Sequence, residues 1–162
     1  MCGLAVGGVL SGCLPGADED EPEQARESAG RLQLRGIIED AERLAAQFRA
    51  VQLRFPDPTG MLVLFASEHR AHAEALRELV SPRVVASSSR SASTTTRSHH
   101  LQVEVRATTA QEARAQLVTD ELAASKRRAE AAARAAPRVA RLLASISASN
   151  AVHAALLEAQ PA

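Results

Sequence analysis

Six side chains able to hold a proton or a metal fall at or beside positions that helical periodicity turns inward. In the stretch Val139–Leu157, alternating steps of four and three select Val139, Leu143, Ile146, Asn150, His153 and Leu157. Four of these are large and apolar, so the amide and the imidazole between them share the side that should be buried. The stretch Met61–Leu79 repeats the pattern. Its stripe is Leu62, Phe65, His69, His72, Leu76 and Leu79, and Glu68 stands four residues before His72, within reach on one face. Glu121 lies near the apolar face of a third stretch. Buried polar groups need partners. Glu68, His69, His72, Glu121, Asn150 and His153 are therefore expected to meet.

Several chemistries suit such a set. Carboxylate and histidine metal sites are built in bundle cores, and di-iron bundles take Glu-x-x-His from each of two helices and one Glu from each of the others. Asn150-Ala-Val-His153 has that spacing, with a neutral amide in place of the carboxylate. The first helical stretch puts no carboxylate on its stripe, because Glu39 and Glu42 lie off it. Three histidines and a glutamate also suit Zn²⁺ or another transition metal. Three readings stay open: a hydrogen-bonded cluster that fixes helix register, an iron or zinc site, and an organic-ligand or acid–base site. No catalytic residue is assigned. Ser145, Ser147 and Ser149 lie on a helix without a nucleophile elbow, and no Gly-rich phosphate loop occurs.

The elements that must position these groups are helical. Leu34, Ile37, Ala41, Leu44, Phe48, Val51 and Phe55 make an unbroken stripe in a helix over about 25–55. Phe55-Pro-Asp-Pro-Thr-Gly60 ends it, and the short connection makes the next helix an antiparallel neighbour. Ser81-Pro82 closes the second helix, and the Ser/Thr/Arg run that follows, with His99 and His100, has no core pattern. Leu101–Arg106 alternates apolar and polar like a strand, but with no sheet to join it is expected to lie extended along the bundle. Thr109 and Glu112 form a capping-box pair for a third helix running to about Ala135, with Ala110, Ala113, Leu117 and Ala124 as its apolar face. Pro137 then suits the first position of a fourth helix, and a single long helix kinked there is the rival reading. The expectation is an all-α, antiparallel four-helix bundle over residues 25–162, with residues 81–106 a long flexible crossover between the second and third helices.

Composition agrees. The 162 residues contain no Trp or Tyr and three Phe, which suits close-packed helices better than a sandwich. Basic and acidic residues number 19 each, so no net field draws in nucleic acid. Cys2 and Cys13 both precede the first helix, where a disulfide would staple nothing. Residues 1–13 end in Leu10-Ser11-Gly12-Cys13, similar to the bacterial lipobox whose cysteine is acylated, and residues 14–24 read as an acidic tether. No Lys or Arg precedes the apolar run, so a start upstream of Met1 and a chance match compete as explanations. A lipidated Cys13 would place the domain on the outer face of the cell membrane. The alternative is a cytoplasmic protein. Association with further copies of the chain stays open.

Glu68-His-Arg-Ala-His-Ala-Glu-Ala-Leu76 and Ala140–Leu157 resemble a ferritin-like family of actinobacterial proteins, often lipoproteins, described as a domain of unknown function. The resemblance covers roughly residues 25–157 and implies a ferritin-like four-helix bundle. It does not imply ferroxidase activity, and the family pattern usually has Glu where this chain has Asn150.

Overall fold

Four helices account for most of residues 20–80 and 103–160, which a computed structural model describes. They are α1 (Asp20–Arg54), α2 (Met61–Val80), α3 (Ala110–Ala132) and α4 (Pro137–Glu158). α1 begins at Asp20, so the last five residues of the expected tether are already helical. Cys13 and the rest of the tether lie outside the described residues, as do Ser81–Gln102, the greater part of the expected crossover.

The helix ends follow from local chemistry. Pro56 and Pro58 prevent α1 from continuing. Gly60 then takes a φ of 70°, a left-handed conformation open to glycine at no steric cost. The Asp57 carboxylate accepts from the Leu62 amide at 2.9 Å and meets one of the free donors at the start of α2. At α3, Thr109 Oγ1 accepts from the Glu112 amide at 3.1 Å, and the Glu112 carboxylate accepts from the Thr109 amide at 3.3 Å. This is the capping box expected from the sequence. α3 stops three residues earlier than expected, a turn spans Ala133–Ala136, and Pro137 opens α4. The kinked single helix is thereby excluded: α3 and α4 fold back and pack along each other.

Two apolar clusters fix the helix directions. One joins Phe48 and Val51, Phe65 and Ala66, Leu117 and Val118, and Ala154 and Leu157. The other joins Ile37, Ile38 and Ala41, Ala73 and Leu76, Ala131, and Leu143 and Ile146. α1 and α4 therefore run from the second cluster to the first, and α2 and α3 run the opposite way. α1 packs on α2 and α3, and α4 on α3 and α2, so every neighbouring pair is antiparallel. Because α2 and α3 are parallel, the chain between them must travel the length of the bundle, the connectivity of bundles with one long crossover. The last part of that connection, Val103–Ala107, is extended and lies against the bundle. Arg54 donates to the Val105 carbonyl, and Val105 and Ala107 pack on the first cluster. No strand forms among the described residues.

Candidate metal centre

Between the two apolar clusters lies a buried polar layer. α2 supplies His69 and Glu68, α3 supplies Glu121, and α4 supplies Asn150 and His153. His69, Glu121 and Asn150 are wholly buried and His153 nearly so, whereas Glu68 sits at the surface between α2 and α4. Phenylalanines hold the imidazoles in place: His69 stacks on Phe48 at 5.4 Å between ring centroids, and His153 on Phe65 at 4.1 Å.

Glu121 is the hub. Its Oε1 accepts from His69 Nε2 at 2.6 Å and from His153 Nδ1 at 3.2 Å, and its Oε2 accepts from Asn150 Nδ2. Burial alone would raise the carboxyl pKa, but the donors from His153, His69 and Asn150, with the charge of His69, win and hold it down at about 2. Glu121 is therefore an anion at neutral pH. The far nitrogen of His153, Nε2, meets Glu68 Oε2 at 2.6 Å and Ser149 Oγ at 3.3 Å. Burial pulls the His153 pKa down, yet the hydrogen bonds and charges of Glu121 and Glu68 outweigh it and raise the pKa above its usual value. When protonated, the ring donates to Glu121 through Nδ1 and to Glu68 through Nε2.

The structure brings together five of the six expected residues. Asn150, His153, His69 and Glu121 meet in the core, and Glu68 joins them through His153. The expected Glu68–His72 pair does not form a hydrogen bond; Glu68 turns across to α4 instead. His72 is half-buried at the edge of the layer, 5.9 Å between ring centroids from His69, and its Nδ1 has no hydrogen-bond partner among the described residues. Burial, then the positive charges of His69, His153 and Arg128, lower its pKa to about 4, so it is neutral.

His69, Glu121 and His153 could hold a metal ion, since their donor atoms lie within 4.8 Å of one another. The converging atoms are His69 Nε2, His153 Nδ1 and Glu121 Oε1. Two other atoms of the same side chains are held from outside. Glu68 takes the Nε2–H of His153, and Asn150 takes Oε2 of Glu121. An imidazole ligand in a metal site is oriented in this way by a carboxylate on its second nitrogen; this holds for His153, whereas His69 Nδ1 has no partner among the described residues. Glu68 and Asn150 thus act as supports and not as members of the converging set. No family model, no curated protein and no solved structure matches this chain.

One buried charge escaped the sequence reading. Arg128, 1% exposed, lies seven residues beyond Glu121 on the same face of α3. The signal was present, because the steps Leu117, Glu121, Ala124, Arg128, Ala131 continue the core stripe. A smaller polar pair was also missed. Ser125 and Ser147 exchange hydrogen bonds with each other's carbonyls at 2.9 Å and tie α3 to α4.

Proposed function

We propose that this protein is a four-helix-bundle metal protein that binds one divalent transition ion, zinc or iron, at His69, Glu121 and His153. The convergence of two imidazole nitrogens on one carboxylate oxygen, from three different helices, carries the reading. Two histidines and a carboxylate match a zinc site with an open fourth position, and equally the facial triad of non-haem iron. Binding requires the two imidazoles to give up the protons they donate to Glu121, so metal uptake releases protons and strengthens as pH rises. Donor atoms around an ion at about 2.1 Å stand roughly 3.4 Å apart in a tetrahedron, so shifts on the order of 1 Å from the hydrogen-bonded arrangement suffice.

A second reading is a structural hydrogen-bond cluster that fixes the register of α2, α3 and α4. It is favoured by the three hydrogen bonds that Glu121 accepts without any ion, while His69 Nδ1 and Asn150 Oδ1 have no partner among the described residues. Metal titration of the purified full chain separates the two. One ion per chain, lost in both His69→Ala and His153→Ala but kept in His72→Ala, supports the metal reading. Absence of binding in a chain that melts cooperatively supports the structural one.

The setting is also a proposal. A lipid on Cys13 would tether the bundle to the outer face of the membrane, where its exposed faces could serve as an envelope scaffold. The supports are the Leu10–Cys13 pattern and the acidic residues after it. Among the described residues no helix is long and apolar enough to cross a membrane. Cys13→Ser should release the protein from the membrane fraction, and unchanged fractionation would refute the anchor. The ferritin-like family is proposed on the segments Glu68–Leu76 and Ala140–Leu157, with the single long crossover in its favour.

A further inference from the structure

Arg128 poses a separate problem two turns along α3. Its guanidinium is buried, yet none of its three nitrogens makes a hydrogen bond among the described residues. The nearest carboxylate, Asp40 on α1, lies 3.3 Å from Nη1. That carboxylate is already engaged: it accepts from Arg43 at 2.6 Å and from Arg127 through both oxygens, at 3.0 and 2.9 Å. A guanidinium has five N–H donors and no acceptor, and a buried charge without hydrogen bonds is costly. The described residues supply none of the acceptors it lacks.

The space for them is adjacent. Arg128 and Asp40 line a cleft of about 330 Å³ between α1 and α3, which Arg127, Arg134 and Glu130 also line. Three guanidinium groups thus face two carboxylates, one of which is shared with Arg43 from outside the cleft. Arg134 has no ion pair among the described residues. Gly36 forms part of the α1 wall, and a Cβ built on it meets nothing within 4 Å. Glycine is a poor choice for the middle of an exposed helix turn, and here it leaves the cleft open.

We propose that the α1–α3 cleft binds a small phosphate-class oxyanion, free phosphate or a phosphomonoester, held by Arg128 with Arg127 and Arg134. A neutral polar ligand would satisfy the N–H groups but leave the buried charge with only the carboxylate of Asp40, which Arg43 and Arg127 share. An oxyanion does both, and the forked geometry of arginine matches phosphate oxygens. The site does not depend on the metal reading, since it shares no residue with the converging set.

The test uses the full chain with inorganic phosphate as the probe, in thermal melts and equilibrium dialysis against chloride at equal ionic strength. The wild type should show a saturable rise in Tm with phosphate, as mass action requires of a ligand that binds only the folded state. Arg134→Gln should weaken phosphate binding roughly tenfold. Gly36→Leu, which favours the helix and fills the cleft, should abolish binding while leaving the fold intact. Arg128→Met should abolish it too and raise Tm in chloride, because it removes a buried charge that makes no hydrogen bond. No phosphate-specific rise, or an equal rise in Gly36→Leu, overturns the proposal. Loss in His153→Ala with retention in Gly36→Leu would place the phosphate at the metal centre and overturn it as well. A phosphomonoester that competes with phosphate in dialysis would identify which source the cleft prefers.

Discussion

Glu121 and Arg128 stand seven residues apart on the same face of α3, both fully buried and both charged, yet their surroundings differ. Glu121 accepts three hydrogen bonds from α2 and α4, and its pKa falls to about 2 despite burial. Arg128 has one carboxylate nearby and no hydrogen bond, and burial, opposed by the charges of Asp40 and Glu121, lowers its pKa. The bundle supplies one charge with a full set of partners and the other with almost none. Glu121 itself is satisfied, although His69 Nδ1 and Asn150 Oδ1 beside it have no partner among the described residues. Incomplete satisfaction marks a place where a partner from outside belongs.

The largest expected effect comes from breaking the satisfied side. Glu121→Ala leaves His69 and Asn150 without an acceptor and His153 Nδ1 unpaired, and should destabilise the bundle by about 3–5 kcal/mol, read from chemical denaturation. If the loss is under ~1 kcal/mol, the layer does not behave as a buried network. Breaking the other side should have the opposite sign. Arg128→Met in phosphate-free buffer should stabilise on the order of 1 kcal/mol, since Asp40 keeps Arg43 and Arg127. Destabilisation there would mean that Arg128 is compensated after all.

A distant control sharpens the contrast. Thr109→Ala removes an ordinary cap and should cost roughly 1 kcal/mol without changing metal or phosphate binding. A change in either would show that the two sites respond to global stability.

The smallest effect is on pH dependence. The folded-state pKa of His72 is about 4, below its usual value of 6.5. The unfolded chain therefore takes up a proton first, and this contribution to stability is fully present above pH 6.5 and lost as pH falls towards 4. Glu121 adds a similar loss from about 4.5 down to about 2. His153 acts in the other direction, because its raised pKa makes its contribution complete below 6.5 and removes it as pH rises through the folded value. Denaturation at a series of pH values should show that His72→Gln flattens the profile between pH 6.5 and 4 and leaves the lower limb intact. An unchanged profile would mean that His72 is not held neutral.

Much of this is legible in the sequence alone. Stripes of period three to four located all four helices, and the inward positions of His69, Asn150 and His153 followed from the same steps. The capping box at Thr109 and the break at Pro137 are local chemistry and were readable as such. Partner choice was not. Glu68 and His72 share a helix face, but Glu68 lies at the border with α4 and meets His153 there, a tertiary contact that spacing along one helix cannot reveal. Asn150 read as a defective ligand because its own hydrogen bond was invisible; in place, it holds one oxygen of Glu121 and leaves the other facing the imidazoles. Arg128 went unnoticed because a long charged side chain is normally solvated, although its step on the α3 stripe placed it inside.

The proposed metal centre joins His69, Glu121 and His153, with Glu68 and Asn150 as supports. X-ray absorption at the zinc edge, on the full chain loaded with one equivalent of Zn²⁺, tests it most directly. The expected first shell is two imidazoles and oxygen ligands around the ion, unchanged in His72→Ala, with the bound zinc lost in His153→Ala. A first shell without imidazoles, or one that loses a ligand in His72→Ala, would contradict it.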